Sequence, residues 1–194
     1  MAFNITAFRE GMAFDGQRPN LFEVDIPTGT GDIFDGTSLG LFAKGTSIPG
    51  ATIGTVIVPY FGREVKLAGN RTFPEWTITV LNDENFAIRS QFERWMNTIN
   101  GHGTNKRTSG SGSNSYVKTA SVKQYTKDAS VSAKYSFVNM FPTDLSEITL
   151  DWGDNDTVEE YTVTFSYDYW IRAKGTITGG KGTIASEIKL GTSA

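Results

Sequence analysis

The sequence predicts a mostly β fold with one helix, and three observations support that prediction. Glycine accounts for 21 of the 194 residues and proline for only 6, and the glycines fall between short segments. Most of these segments alternate apolar and polar residues, which is the period of a strand with one buried face. A single segment repeats its apolar residues at helical spacing instead. We therefore expect many turns, several strands and one amphipathic helix.

The length and composition fit one folded domain. A chain of 194 residues with 38% apolar and 12% aromatic residues has enough material for a core and too much for a disordered chain. We expect an N-terminal arm over 1–17, a single β domain over 18–170 and a Gly/Thr-rich C-terminal arm over 171–194.

The first predicted strand covers residues 21–26. Phe22, Val24 and Ile26 lie on one face, Glu23 and Asp25 lie on the other, and Pro27 ends the segment. A connection over 28–40, rich in Gly, Asp and Thr, follows it and looks like an insertion.

Apolar periodicity resumes over 39–42, and Pro49-Gly50 then predicts a turn, with a hairpin around it. The next strand-like segments are enriched in Val, Ile, Thr and aromatic residues. They cover 52–58, 63–67 and 75–81.

The apolar period then changes from 2 to about 3.6, which predicts a helix over 83–99. Asn82 or Asp83 is the expected N-cap, and Gly101 is the expected end. The apolar stripe that should pack on a sheet consists of Ile88, Phe92, Trp95 and Ile99.

The second half begins with a polar segment over 101–115, which is expected to be a mobile surface loop. Residues 116–125 and 130–138 predict a hairpin that turns at Lys127-Asp128. Residues 158–170 alternate throughout and predict one long strand.

Charge excludes one class of function and suggests another. The net charge of −3 argues against tight binding of DNA or RNA. Residues 144–168 contain only acidic charges, whereas six of the seven charged residues in 102–134 are basic, so copies of the chain could pair head to tail. No apolar run reaches the roughly 18 residues of a membrane span and no signal-peptide pattern precedes the domain, so we expect a soluble protein without stable membrane association.

The sequence lacks the parts of most active sites. It has no cysteine and one histidine, His102, so thiolate chemistry and histidine-rich metal sites are excluded. GTITGGKGT from Gly175 has Gly182 where a phosphate loop needs a hydroxyl, and DWGDNDTVEE from Asp151 lacks the glycine of a calcium loop. Glu159 and Glu160 would point to opposite faces of a strand. We expect no catalytic residue, no metal and no cofactor.

Three segments resemble one known family. They are RPNLFEVDI from Arg18, AGNRTFPEWTITVLNDENFAIRSQFERW from Ala68 and ITLDWGDNDTVEEYTVTFSYDYW from Ile148. Together, in this order, they are similar to the tail tube proteins of contractile-tailed bacteriophages and span most of 18–170. The resemblance implies an antiparallel β-sandwich or barrel with one flanking helix.

The resemblance also implies a structural virion protein rather than an enzyme. Six copies would form a ring with a continuous β-barrel, and rings would stack into a tube inside a sheath. The implied partners are copies of the chain, the tail sheath, tape-measure, baseplate and tail-terminator proteins, and genomic DNA in transit without specific binding. The implied location is the phage tail, assembled in the host cytoplasm.

Within that resemblance, the hairpin over 116–138 is the predicted channel wall, because small polar residues occupy one of its faces and core residues occupy the other. Two lysines on it count against this assignment, since an anionic wall would repel DNA better. The predicted lumen-facing residues are Thr119, Ser121, Lys123, Ser130, Ser132, Lys134 and Ser136.

The predicted ring-to-ring contact lies near Pro49 and Pro59, which interrupt their region as a projecting loop would. It consists of Ser47, Ile48, Pro49, Gly50 and Ala51.

Two alternatives remain at this point. A tube component of a secretion or contractile-injection system would share the fold, and genome neighbours would separate it from a phage protein. A β-sandwich carbohydrate-binding module would need clustered exposed tryptophans, whereas Trp76 and Trp95 are expected to be buried.

Overall fold

The computed structural model of the chain describes residues 4–12, 16–26, 39–107 and 116–173. Within these residues all strand pairs are antiparallel, as the predicted fold class requires. The elements are α1 (Ile5–Gly11), β1 (Phe22–Asp25), α2 (Leu39–Phe42), β2 (Ala43–Thr46), β3 (Thr52–Tyr60), β4 (Arg63–Thr72), β5 (Trp76–Leu81), α3 (Ala87–Ile99), β6 (Lys118–Tyr125), β7 (Val131–Leu145), β8 (Glu160–Ser166) and β9 (Tyr169–Ala173).

Two sheets share one strand. Sheet A has the order β1-β6-β7-β9, and sheet B has the order β7-β8-β5-β2. The first part of the 15-residue strand β7 pairs with β6 and β9, and its residues from Phe141 onward pair with β8. Among the strands of the described residues, β3 and β4 pair only with each other.

Asn139 marks the corner where β7 passes from sheet A to sheet B. Its φ of 55° is in the left-handed region, which asparagine tolerates better than most residues, and the register of β6 and β7 shifts beside it. The Asn139 side chain donates to Asp168 Oδ2 at 2.6 Å, and the Asp168 N–H donates to the Val138 carbonyl at 3.1 Å. These bonds join the corner of β7 to the break between β8 and β9.

The core lies between the sheets and is rich in aromatic residues. Trp76 of sheet B stacks on Phe137 of sheet A with ring centroids 4.2 Å apart. Phe165 contacts the rings of Trp76, Phe92 and Trp95 at centroid distances of 5.5, 5.9 and 6.2 Å. Helix α3 thus packs its predicted apolar stripe into the core that holds the sheets together.

The predicted helix start at 83 is wrong, because α3 begins at Ala87. Residues 83–86 form a turn that the Phe86 N–H closes on the Asp83 carbonyl, and Phe86 occupies the cap with a φ of 52°. The Asp83 carboxylate still accepts the Ala87 N–H at 3.0 Å, so it satisfies a helix donor from one turn away.

Two predicted strand arrangements are also wrong. Pro49-Gly50 does not turn a hairpin, since β2 pairs with β5 and residues 39–42 form the short helix α2. The predicted long strand over 158–170 divides into β8 and β9, because the chain leaves sheet B after Ser166 and joins sheet A at Tyr169. Alternation continues across the break, which is why the sequence did not reveal it.

Other predicted segments lie partly or wholly outside the described residues. These are most of the connection over 28–40, residues 108–115 of the polar loop, and the C-terminal arm from 174. Among the residues that are described, no helix has both the length and the apolar character needed to cross a membrane.

Candidate assembly surfaces

The β3–β4 hairpin is an apolar element outside the core. Every residue of the two strands except Gly69 is exposed, and Val56, Ile57 and Leu67 are each 51% or 52% exposed. Because successive residues of a strand point to opposite faces, Val56 and Ile57 leave both faces of the hairpin apolar. An uncovered two-stranded ribbon of this kind is marginally stable in water, so it requires a partner surface.

The tip of this hairpin is a strained aromatic turn. Phe61 and Gly62 have φ values of 44° and 79°, the pattern of a two-residue type I′ turn. A phenylalanine in this conformation costs free energy, yet its side chain is 90% exposed. Among the aromatic pairs described, its ring pairs only with that of Tyr60, in a T-shaped arrangement with centroids 4.6 Å apart. The strain is explained if the ring serves a contact outside the monomer.

The predicted ring-to-ring segment lies at the base of the hairpin and is fixed to the core. The Trp76 indole N–H donates to the Ser47 carbonyl at 3.0 Å, and the Trp170 indole N–H donates to the Gly50 carbonyl at 2.9 Å. Pro49 is buried, whereas Ile48 is 48% exposed and Ser47, Gly50 and Ala51 are exposed as well. The segment therefore presents side chains outward from a rigid backbone.

Most of the predicted lumen-facing residues share the outer face of sheet A. In the register of β6 and β7, Lys123 is opposite Lys134 and Ser121 is opposite Ser136, while Val122 and Phe137 face the core. Ser121 is only 5% exposed in the single chain, and Thr119 and Ser130 are exposed. Ser130 precedes β7 and belongs to the turn, where its hydroxyl contacts Thr126 and Asp128.

The same face carries two carboxylates from β1. Glu23 is opposite Lys123 in the register and Asp25 is opposite Ser121. Lys123 Nζ donates to Glu23 Oε1 at 3.1 Å and lies 3.4 Å from Asp25 Oδ2, and the Tyr125 hydroxyl also donates to Glu23. We call Glu23, Asp25, Lys123 and Tyr125 the β1–β6 charge cluster.

The cluster shifts the ionisation of its members. The hydrogen bond from Tyr125 is the main reason that the pKa of Glu23 lies below its ordinary value; burial opposes it and Lys123 adds to it. Burial acts to lower the pKa of Lys123, but the bonds and charges of Glu23 and Asp25 outweigh burial and raise it. Because the pKa of Glu23 is lowered and that of Lys123 is raised, the pair is intact at neutral pH, and on the acid side it is lost as Glu23 is protonated.

A second exposed surface is the loop between β7 and β8. Leu150, Trp152 and Val158 are exposed on it, and its charged residues are all acidic. Its two ends are fixed to the helix region: Arg89 donates to the Ser146 carbonyl at 3.1 Å and Asn82 donates to Glu159 at 2.8 Å.

In the described part of the chain, no group of His, Cys, Asp and Glu side chains is placed to hold a metal ion. His102 is exposed in a turn where its backbone N–H donates to Asn97. The segment GTITGGKGT from Gly175 lies outside the described residues.

Sequence reasoning missed two features of these surfaces. Glu23 and Asp25 were assigned to one face of a strand, but nothing in the sequence identified β6 as the neighbour that brings Lys123 to them. The unbroken apolar run at 56–58 was a usable signal for the hairpin, since a half-buried strand alternates and this one does not.

A family model and curated relatives match most of this sequence. A family model described as phage tail tube protein matches residues 17–173. Tail tube protein gp19 of Enterobacteria phage T4 is 35% identical over 165 residues, which is 84% of this chain and 94% of the relative. The tail tube protein of Serratia phage KSP90 is 25% identical over 167 residues, with 84% and 93% covered.

Solved structures share the fold. A chain in the baseplate of the anti-feeding prophage superposes with a TM-score of 0.59 at 13% identity, covering 81% of this chain and 95% of that one. A chain in the sheath-tube complex of the PVC extracellular contractile injection system, in its extended state, has a TM-score of 0.57 at 15% identity, with 88% and 99% covered. These identities support a common fold and nothing more specific.

Proposed function

The chain belongs to the phage tail tube protein family, a component of the virion tail, and we propose that six copies close into a ring and that rings stack into the inner tube of a contractile tail. The tube would be the conduit for genome ejection. The role is structural and involves no catalysis or cofactor.

The observation that carries this proposal is the β3–β4 hairpin. Its two apolar faces and its exposed aromatic tip have no cover within the described residues, and a repeating assembly provides cover for every copy. A monomeric protein would gain nothing from keeping such a surface in water.

Sheet A is the proposed channel wall. It ends at β1 on one side and at β9 on the other, and the described residues add no further strand to either, although α2 packs beside β1. Neighbouring copies could join these edges into a closed barrel, which removes the aggregation hazard of an open edge. The proposed lumen residues remain Thr119, Ser121, Lys123, Ser130, Ser132, Lys134 and Ser136.

Cysteine labelling tests this placement. In a Ser132→Cys variant, a bulky maleimide should react about tenfold or more slowly in assembled tubes than in dispersed subunits, because the channel limits its access. A Thr157→Cys variant, in the exposed β7–β8 loop, is the control for general slowing. Rapid labelling of the Ser132→Cys variant along the whole length of intact tubes would refute the assignment.

The proposed ring-to-ring contact comprises Ser47, Ile48, Pro49, Gly50 and Ala51, together with the hairpin that follows. Deleting this segment would remove the carbonyls that Trp76 and Trp170 contact, so a point substitution is the cleaner test. Ile48→Asp should give folded protein whose rings no longer stack, because a carboxylate would be buried at the contact. Normal tubes from this variant, seen by electron microscopy, would exclude Ile48 from the contact.

The proposed partners follow from assembly. The solved relatives come from complexes described as sheath-tube, cap and baseplate, and we propose corresponding sheath, tail-terminator and baseplate contacts here, with a tape-measure protein inside the tube. DNA would pass without specific binding. The proposed assembling domain is 18–170, extended to 173 because Ile171–Ala173 belong to β9. We propose that arms over 1–17 and over the rest of 171–194 contact neighbours in the host cytoplasm during assembly.

The alternatives receive less support. Curated relatives at 35% identity are phage proteins, whereas the injection-system chains share 13–17%. A carbohydrate-binding platform would need grouped exposed tryptophans, but Trp76 and Trp95 are buried, Trp170 is half-buried and Trp152 is exposed by itself.

Negative-stain electron microscopy of the purified full chain over a concentration series tests the function directly. Sixfold rings or hollow tubes that increase with concentration are the expected result. Compact monomers at every concentration would overturn ring formation by the chain alone and would make a glycan-binding screen the next measurement.

A further inference from the structure

The outer face of sheet A carries positive charge where a passing polyanion would meet it. Lys123 and Lys134 are directly opposite each other on β6 and β7, and like charges in this position repel. Lysines that neutralise DNA phosphates release the counterions condensed on the DNA, so a face with two partly exposed lysines per copy should retain DNA. This conflicts with a wall along which DNA slides.

The geometry of the β1–β6 charge cluster reduces the conflict, because it neutralises one of the two lysines. Glu23 is directly opposite Lys123 and Asp25 is diagonal to it, so one strand brings two carboxylates to a single ammonium, at 3.1 and 3.4 Å. Both attractions draw Lys123 towards β1 and away from Lys134. Tyr125 donates to Glu23 and fixes the position of its carboxylate.

We propose that Glu23 and Asp25 mask Lys123, so that the outer face of sheet A does not bind the phosphate backbone of DNA. A phosphate would have to displace two carboxylates that are already in contact with the ammonium, and the displaced carboxylates would then lie unpaired beside the phosphate. The two carboxylates and the two lysines leave the face balanced in charge. This inference rests on the proposed tube function and gives Glu23 and Asp25 a role within it.

The raised pKa of Lys123 and the lowered pKa of Glu23 agree with a standing ion pair at neutral pH. Burial of the cluster is partial, with 21% of the Lys123 side chain and 38% of each carboxylate side chain exposed. The lysine therefore becomes reachable by solvent ions once the carboxylates are neutralised.

The test removes the negative charges of Glu23 and Asp25 but keeps an oxygen at each side chain that can accept a hydrogen bond. Fluorescence anisotropy of a labelled DNA duplex is measured against the full-length protein at low salt for wild type and for Glu23→Gln/Asp25→Asn. The variant should bind at least about tenfold more tightly, and its affinity should fall steeply as salt rises. Adding Lys123→Gln to the variant should return binding to the wild-type level.

The matched control is Glu147→Gln/Asp151→Asn, which changes the net charge equally on the β7–β8 loop. If this control binds DNA as tightly as Glu23→Gln/Asp25→Asn, or if adding Lys123→Gln does not reverse the gain, masking is refuted. Near-UV circular dichroism checks folding, and Asp25→Asn alone, which keeps the bond between Tyr125 and Glu23, replaces the double variant if that variant does not fold.

Binding is compared at a concentration where microscopy detects no rings and again on any tubes. Tighter DNA binding by dispersed subunits of Glu23→Gln/Asp25→Asn than by those of wild type supports masking, whether or not tubes form. Absence of tubes would therefore overturn the proposed function alone. If tubes form normally but the variant binds DNA no more tightly than wild type, either as dispersed subunits or as tubes, masking is overturned and the proposed function stands.

Discussion

The inter-sheet core and the β3–β4 hairpin use similar side chains in opposite environments. Trp76 and Phe165 are almost completely buried, whereas Val56 and Phe61 are half exposed or more. Burying one such side chain contributes roughly 1.5–3 kcal/mol, so the core residues stabilise the single chain and the hairpin residues contribute only when another surface covers them. The difference separates apolar residues that specify the fold from apolar residues that we propose to specify assembly.

The pattern along the chain reflects this difference. Strand β5 alternates fully buried positions with positions that are partly or fully exposed, because one face meets the core. Strand β3 contains Val56, Ile57 and Val58 in succession and is exposed throughout. A strand that is apolar on both faces and exposed on both is typical of an element that is buried between subunits.

The largest expected contrast in stability is between one phenylalanine of the core and one of the hairpin. Phe165→Ala removes a ring that contacts Trp76, Phe92 and Trp95, and it should destabilise the monomer by about 3–5 kcal/mol. Phe61→Ala, at the exposed tip, should change the free energy of unfolding by less than about 0.5 kcal/mol. Urea denaturation of both variants measures the contrast, and equal losses would show that the hairpin is part of the folding core.

A smaller effect is expected from hairpin substitutions that change assembly without changing folding. Val56→Thr/Ile57→Thr keeps β-branched residues on both faces but removes apolar surface, so the protein concentration needed for tubes should rise at least about tenfold. Thr55→Ser on the same strand is the matched control. Unchanged assembly, followed by light scattering over a dilution series, would contradict an interface role for these two residues.

The smallest expected contrast is between two substitutions at the corner where the two sheets meet. Asn139→Ala loses the bond to Asp168 and places alanine at a φ of 55°, so the expected loss of stability is about 1–2 kcal/mol. Asn139→Gly also loses the bond but tolerates the backbone, and should lose less. If the alanine and glycine variants are equally stable, the backbone conformation at the corner carries no cost.

Much of the fold could be predicted from periodicity. The alternation of β5 and the helical spacing of Ile88, Phe92 and Trp95 identified elements whose burial the structure confirms. Periodicity could not locate the break at Tyr167 and Asp168, since the chain changes sheets without changing its pattern of buried faces. It also could not assign β2 to β5, because that pairing depends on residues far apart in sequence.

The assembly surfaces were harder to predict. The face shared by Ser121, Lys123 and Ser136 followed from alternation within one hairpin. The contacts of Lys123 with Glu23 and Asp25 join residues about a hundred positions apart, and only the tertiary structure brings these together. The indole bonds to the carbonyls of Ser47 and Gly50 have no sequence signal, since backbone acceptors are the same at every residue.

Strand β7 gives the subunit a mechanical property. Since its 15 residues belong to both sheets, a load applied to one sheet reaches the other along covalent backbone and does not depend on side-chain contacts across the core. The bonds of Asn139 and Asp168 brace the bend at which that load changes direction. A shell built from such subunits would respond to axial compression as a stiff column, with inner and outer layers moving together.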